Sequence, residues 1–132
     1  MAIKVVVVDS AQLPADTDFP PLETHKYGWE QYPGLSYEDV PERCWRADIV
    51  VALATSITRE NLEKMPRLKL LITAGEACQR LDEQAAQDQG VELLAFPDAR
   101  LDSLVEAQDL CNRISEAINH YIRNFENNGV PL

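Results

Sequence analysis

Four short aliphatic runs, each closed by a turn signal and separated from the next by a helix-length polar stretch, constrain this chain more than any other feature. The first, IKVVVV at positions 3–8, ends at Asp9 and has Lys4 as its only polar member. A β-branched run without alternation is the pattern of a strand buried on both faces, as inside a parallel sheet. Residues 48–53 (DIVVAL), 68–73 (LKLLIT) and 91–96 (VELLAF) repeat it. A further strand is expected at 25–32, where aromatic and polar residues alternate as at a sheet edge and Pro33-Gly34 closes the run. Helices are predicted between these runs. One covers 39–46, with Pro41 in its first turn and Glu42 near its positive end; one follows Thr58 as N-cap and stops at Pro66; one follows Asp82 and ends at Gly90, suited to a left-handed cap. Residues 10–22, with Pro14, Pro20 and Pro21, carry no period and read as a loop with at most one short helical turn. Strands alternating with helices of about eight to ten residues are repeated βαβ units, hence a parallel sheet with helices on both faces.

The last helix is of a different kind. From Asp102 as N-cap, Leu104, Ala107, Leu110, Cys111, Ile114, Ala117, Ile118, Tyr121, Ile122 and Phe125 fall in one stripe about 140° wide, and only Val105 lies off it. A helix over 103–126 is roughly 36 Å long, whereas strands of five or six residues span about 17 to 20 Å. On that comparison the far half overhangs a domain formed by 1–101. Ile118, Tyr121, Ile122 and Phe125 are then expected to be covered by a second copy in a homodimer, or the helix bends back or frays after Ala117.

Twelve basic against twenty-two acidic residues give a net charge of −10. That field repels phosphate backbones and anionic lipid, so nucleic-acid and membrane-surface roles are disfavoured. No apolar run reaches the roughly 18 to 20 residues of a membrane span, and the first ten residues enter a strand without a basic leader, so a cytoplasmic protein is expected. Cys44, Cys78 and Cys111 lie more than thirty residues apart and read as reduced thiols rather than a disulfide framework or metal knuckle.

Elimination removes most chemistry. The five glycines, at 28, 34, 75, 90 and 129, form neither GxGxxG nor GxxxxGK. His25 and His120 are the only histidines, and a metal site is not expected from them. Cys111 points into the apolar stripe; Cys78, in a loop after a strand, is the one cysteine placed for exposure, but no base is supplied to it in sequence. In an open α/β sheet ligands bind beyond the carboxyl ends of the strands. Those ends are Asp9-Ser10, Ala54-Thr55-Ser56 and Thr73-Ala74-Gly75-Glu76, which offer hydroxyls and backbone N–H groups or are simply small residues suited to tight turns.

The succession VVVVDS, ADIVVA, TSITRENLEKMPRLKLLITAGEA and LDEQAAQDQGVELLAFPDA resembles the N-terminal half of D-isomer-specific 2-hydroxyacid dehydrogenases. The opening and Tyr27-Gly28-Trp29-Glu30 look most similar to the glycerate dehydrogenase or hydroxypyruvate reductase branch. The resemblance implies a flavodoxin-like three-layer sandwich, with a five-stranded parallel sheet of order 2-1-3-4-5 carrying the long C-terminal amphipathic helix. It also implies a vestigial substrate site at Ala54, Thr55, Gly75, Glu76 and Ala77.

Departures from the family pattern bear on function. The family's glycine-rich loop holds a substrate carboxylate through backbone N–H groups; here Ala77 stands at a glycine position and Glu76 sets an anion where an anion would bind. Asp82 is kept. Leu53-Ala54 replaces the Asn-Lys of relatives, and after the last strand Ser103 and Glu106 of a Ser-x-x-Glu-His segment remain, with Ala107 in place of histidine. The NAD(P)-binding domain of the full-length family has no counterpart here, so no cofactor is expected for this chain, and Val130-Pro131-Leu132 after Asn127-Asn128-Gly129 reads as a natural helix stop. The expectation is a stand-alone, non-catalytic relative acting by small-ligand binding or assembly. The alternatives are a subunit of an NAD-dependent D-2-hydroxyacid dehydrogenase completed by a separate nucleotide-binding chain, or a sensor of a small 2-oxo or 2-hydroxy acid.

Overall fold

A computed structural model describes residues 3–24, 26–36 and 38–127, the side chains of 125–127 excepted. The strands are β1 (Ile3–Val8), β2 (Tyr27–Tyr32), β3 (Ile49–Ala52), β4 (Leu70–Ala74) and β5 (Glu92–Phe96). They form one parallel sheet in the order β2-β1-β3-β4-β5. The helices are α1 (Val40–Cys44), α2 (Arg59–Glu63), α3 (Glu83–Asp88) and α4 (Leu104–Asn127), with a single 3-10 turn at Ser10–Gln12 in the proline-rich loop. The expected strand order and edge position of β2 are therefore found. His25, the first residue of the strand predicted at 25–32, and the stop predicted at 128–132 lie outside the described residues.

Because successive side chains of a strand point to opposite faces, the all-apolar strands build two cores. Val6, Val8, Val50, Ala52 and Leu71 pack under the three short helices with Val40, Leu62, Met65 and Ala86. Val5, Val7, Ile49, Val51, Leu70 and Ile72 pack under α4 with Leu110, Ile114 and Ile118. The caps follow the sequence: Thr58 Oγ1 accepts from the Asn61 N–H at 3.2 Å, Asp82 Oδ1 accepts from the Ala85 N–H at 3.0 Å, and Gly90 stands at φ +78°. Helix α4 starts one residue later than predicted, the Ala107 N–H donating to the Ser103 carbonyl at 2.8 Å.

The expected overhang of α4 is corrected. Ile118 is 0%, Ile122 4% and Tyr121 9% exposed within the single chain, so these three do not wait for a second copy. The comparison of helix length with strand length omitted the loop at 13–24, which runs beside α4 and extends the apolar surface past the sheet. Phe19 and Leu22 join the same core, Phe19 lying 5.2 Å from Trp29 between ring centroids. Polar bonds fasten this strap: Gln108 Nε2 donates to the Asp18 carbonyl (2.8 Å) while its Oε1 accepts the Asp18 N–H (2.9 Å). Ser115 Oγ donates to the Pro20 carbonyl (3.0 Å), and Asn119 Oδ1 accepts the Glu23 N–H (3.0 Å). The side chain of Phe125, fourth member of the proposed interface, is not described.

Candidate functional site

At the carboxyl edge of the sheet, β1 ends on Asp9, a buried residue at φ +70° and the one non-glycine with positive φ among those described. The left-handed turn aims its carboxylate at the loop after β3. Oδ2 accepts the N–H of Ala54 (3.0 Å) and of Thr55 (2.6 Å), and Oδ1 accepts the Thr55 hydroxyl at 2.7 Å, with the Leu35 carbonyl 3.1 Å away as that hydroxyl's other acceptor. A buried carboxylate holding three donors is fully engaged in positioning the loop. Its short polar side chain is also what lets a non-glycine occupy this conformation.

The loops after β3 and β4 are stitched together. The Ile57 N–H donates to the Arg80 carbonyl (3.1 Å) and the Asp82 N–H to the Ile57 carbonyl (3.0 Å). Gly75, at φ +60°, turns the chain out of β4 into a 3-10 helix, Gly75–Gln79. Ala77 on that helix is buried in the core beneath α1–α3, so of the five expected site residues it is the one turned inward from the carboxyl edge. Ala54 and Glu76 are brought together through a residue that the sequence reading missed: Arg80 donates from one guanidinium nitrogen to the Ala54 carbonyl (2.8 Å) and from the other to Glu76 Oε2 (3.0 Å). The bridge links the loops after β3 and β4 at the surface and sets a cation beside the carboxylate that was expected to repel an anionic ligand. Its one sequence signal was the four-residue spacing of Glu76 and Arg80.

Cys78 is half-buried in the same turn, but His120 lies at the other end of the sheet, lining a groove with Leu70 and Glu92, the first residues of β4 and β5. Among the described residues the structure does not bring Cys78 and a histidine together. Cys44 and Cys111 are buried, and desolvation pushes their thiols up to about 12 and about 11. Among the described residues no group of three or more His, Cys, Asp or Glu could hold a metal ion, and no helix is long and apolar enough to cross a membrane.

The described residues do not fit a dinucleotide. Pyrophosphate binding uses a glycine turn opening a long helix, whereas the positive-φ glycine at this edge, Gly75, opens five residues of 3-10 helix whose Ala77 is in the core.

An open parallel α/β sheet with a stitched carboxyl edge and one long helix strapped across a face defines a flavodoxin-like α/β domain. The family model described as D-isomer specific 2-hydroxyacid dehydrogenase, catalytic domain, matches residues 5–124, and the chain belongs to that family. It is 30% identical over 89 residues to a Haemophilus influenzae protein provisionally named a 2-hydroxyacid dehydrogenase, covering 67% of this chain and 28% of the relative. It is 35% identical over 74 residues to the D-3-phosphoglycerate dehydrogenase of Methanocaldococcus jannaschii, covering 55% of this chain and 14% of the relative. The NAD-dependent formate dehydrogenase of Staphylococcus aureus, solved in complex with NAD, shares the fold at a TM-score of 0.50 and 20% identity, over 70% of this chain and 31% of that one. The chain thus spans less than a third of each of these relatives.

Proposed function

We propose that this chain is a non-catalytic relative of the dehydrogenase substrate domain, of the glycerate dehydrogenase or hydroxypyruvate reductase branch, that acts in the cytoplasm through binding or assembly rather than turnover. The observation that carries the reading is the Arg80 bridge from the Ala54 carbonyl to Glu76. In a family whose substrates are carboxylates, a cation at this edge would be the group to recruit one; here it is already paired within the chain. Removing the internal anion is expected to release it. Titration of the wild type with hydroxypyruvate or pyruvate, followed by amide chemical shifts, should leave 54–56 and 75–80 unmoved up to about 10 mM. Glu76→Gln should show shifts in those loops that saturate in the millimolar range. Ala77→Gly is not useful here, since that methyl is in the core. Saturable shifts in the wild-type loops, or NADH binding with turnover of hydroxypyruvate by the chain alone, would overturn the reading.

A second reading is favoured by one observation: relatives named as dehydrogenases are more than three times as long as the segment matched here. On it, the chain is a subunit of an NAD-dependent D-2-hydroxyacid dehydrogenase whose nucleotide-binding part is supplied by another chain. Cofactor-dependent turnover that appears only when such a chain is added would establish it.

A further inference from the structure

The two edges of the sheet are not alike. On the α4 side of β2, Tyr27 and Trp29 pack against the core that includes Phe19 and the strap. Strand β5 is left at the rim of a groove of about 750 Å³ between it and the flank of α4, floored by Leu94 and Phe96 and bordered by Arg113, Glu116 and His120. Leu94 and Phe96 are only half-buried there. Edges of this kind are normally blunted by charged side chains, lysine above all, by proline or by a bulge; Glu92 opens the strand, but from Leu93 to Phe96 it has none of these.

In an extended strand the N–H and C=O of one residue point to the same side and those of the next to the other. The Glu92 N–H donates to the Lys69 carbonyl at 2.9 Å, toward β4. Glu92, Leu94 and Phe96 therefore serve the existing ladder, and Leu93 and Ala95 present their backbone groups outward. Only one two-fold antiparallel register pairs all four of those groups. Centred on Leu94, it sets Leu93 of each copy against Ala95 of the other, for four hydrogen bonds. A shift by two residues toward the N-terminus calls on the Val91 N–H, already given to the Ala86 carbonyl at 2.9 Å. A shift the other way meets Pro97, which has no N–H. In the favoured register Glu92 lies opposite Phe96 rather than opposite its own copy, and the Leu94 side chains meet over the groove floor.

We propose that the partner of this edge is a second copy of the chain, joined β5 to β5 about a two-fold axis through Leu94 into a continuous ten-stranded sheet, with the two grooves merged above it. The pairing edge is β5 rather than the α4 stripe, of which Ala117 and Tyr121 line the groove wall, and the proposal is independent of the functional reading above.

The test uses the 132-residue chain. Sedimentation equilibrium from about 10 to 200 µM should give a dimer. Ala95→Pro removes an outward N–H that the monomer does not use, at an edge position where proline is tolerated; it should weaken the dimer at least tenfold and leave the far-ultraviolet dichroism unchanged. The register is read separately by cysteine pairs in a Cys78→Ser background. Leu94→Cys places the two thiols on a directly opposed, non-hydrogen-bonded pair whose Cα atoms are about 4.5 Å apart, within disulfide reach. It should oxidise to a covalent dimer, whereas Leu93→Cys, opposite Ala95, should not. A wild type that is monomeric across the range, a dimer that survives Ala95→Pro, or equal cross-linking by the two cysteines would overturn the proposal. If Ala95→Pro does not fold, the cysteine pair decides.

Discussion

Replacing Asp9 should separate two contributions that meet at one residue. Its carboxylate accepts the N–H groups of Ala54 and Thr55 and the Thr55 hydroxyl at 3.0, 2.6 and 2.7 Å, and its backbone stands at φ +70°. Hydrogen bonds to charged groups contribute roughly 1.5–3 kcal/mol each, and stranding their partners is the larger part of the loss. Sharing among three donors to one carboxylate brings the expected cost of Asp9→Ala to about 4 kcal/mol, of which about 1 kcal/mol is alanine in the left-handed region. Asp9→Gly removes the same hydrogen bonds without that strain and should be about 1 kcal/mol more stable than Asp9→Ala. Asp9→Asn keeps one acceptor oxygen and tolerates the conformation, so it should fall between Asp9→Gly and the wild type. Urea unfolding followed by circular dichroism gives the three differences. If Asp9→Ala costs under about 1 kcal/mol, or Asp9→Gly is the less stable of the two, the reasoning about this turn is wrong.

Three further outcomes are expected. Ile118→Ala, in a fully buried position, should lose about 2–5 kcal/mol in urea melts with no change in sedimenting mass, since the residue belongs to the chain's own core. With a thiol-specific reagent at pH 8, one cysteine should react rapidly, and Cys78→Ser should abolish that phase while Cys44 and Cys111 react only on unfolding. Stability should fall as pH rises from about 9 to 12. Burial raises Cys44 from 9.0 to about 12, Cys111 from 9.0 to about 11 and Tyr121 from 10.0 to about 12, so the unfolded chain releases these protons first. At pH 10.5 each buried thiol should cost about 2 kcal/mol relative to pH 8, read from urea midpoints; equal midpoints at the two pH values would refute it.

Local patterns carried the fold. The unbroken aliphatic runs at 3–8 and 48–53 and the caps at Thr58, Asp82 and Gly90 each act within a few residues, and each appears where its chemistry places it. The strap and the guanidinium bridge were not legible for the opposite reason. Gln108 meets Asp18 and Asn119 meets Glu23 across some ninety residues, and no periodicity in 13–24 announces that it is the outer wall of a helix groove. Arg80 could be paired with Glu76 from spacing, but its bond to the Ala54 carbonyl depends on β3 and β4 being neighbours. Ala77 was placed in the site by likeness to a glycine position; the 3-10 turn rotates it into the core.

The strap also imposes an order of events on a chain made from its N-terminus. Everything that covers the face under α1, α2 and α3 has been synthesised by the end of β5, so that half of the core can close early. Phe19, Leu22 and the inner faces of β1, β3 and β4 stay uncovered until α4 itself emerges. Until then the nascent domain is a one-sided sheet with its apolar underside open, which is the state most exposed to mispairing and to chaperone capture. Helix α4 therefore works as the closing element of folding, and shortening it from its C-terminal end should release aggregation during synthesis rather than yield a smaller domain.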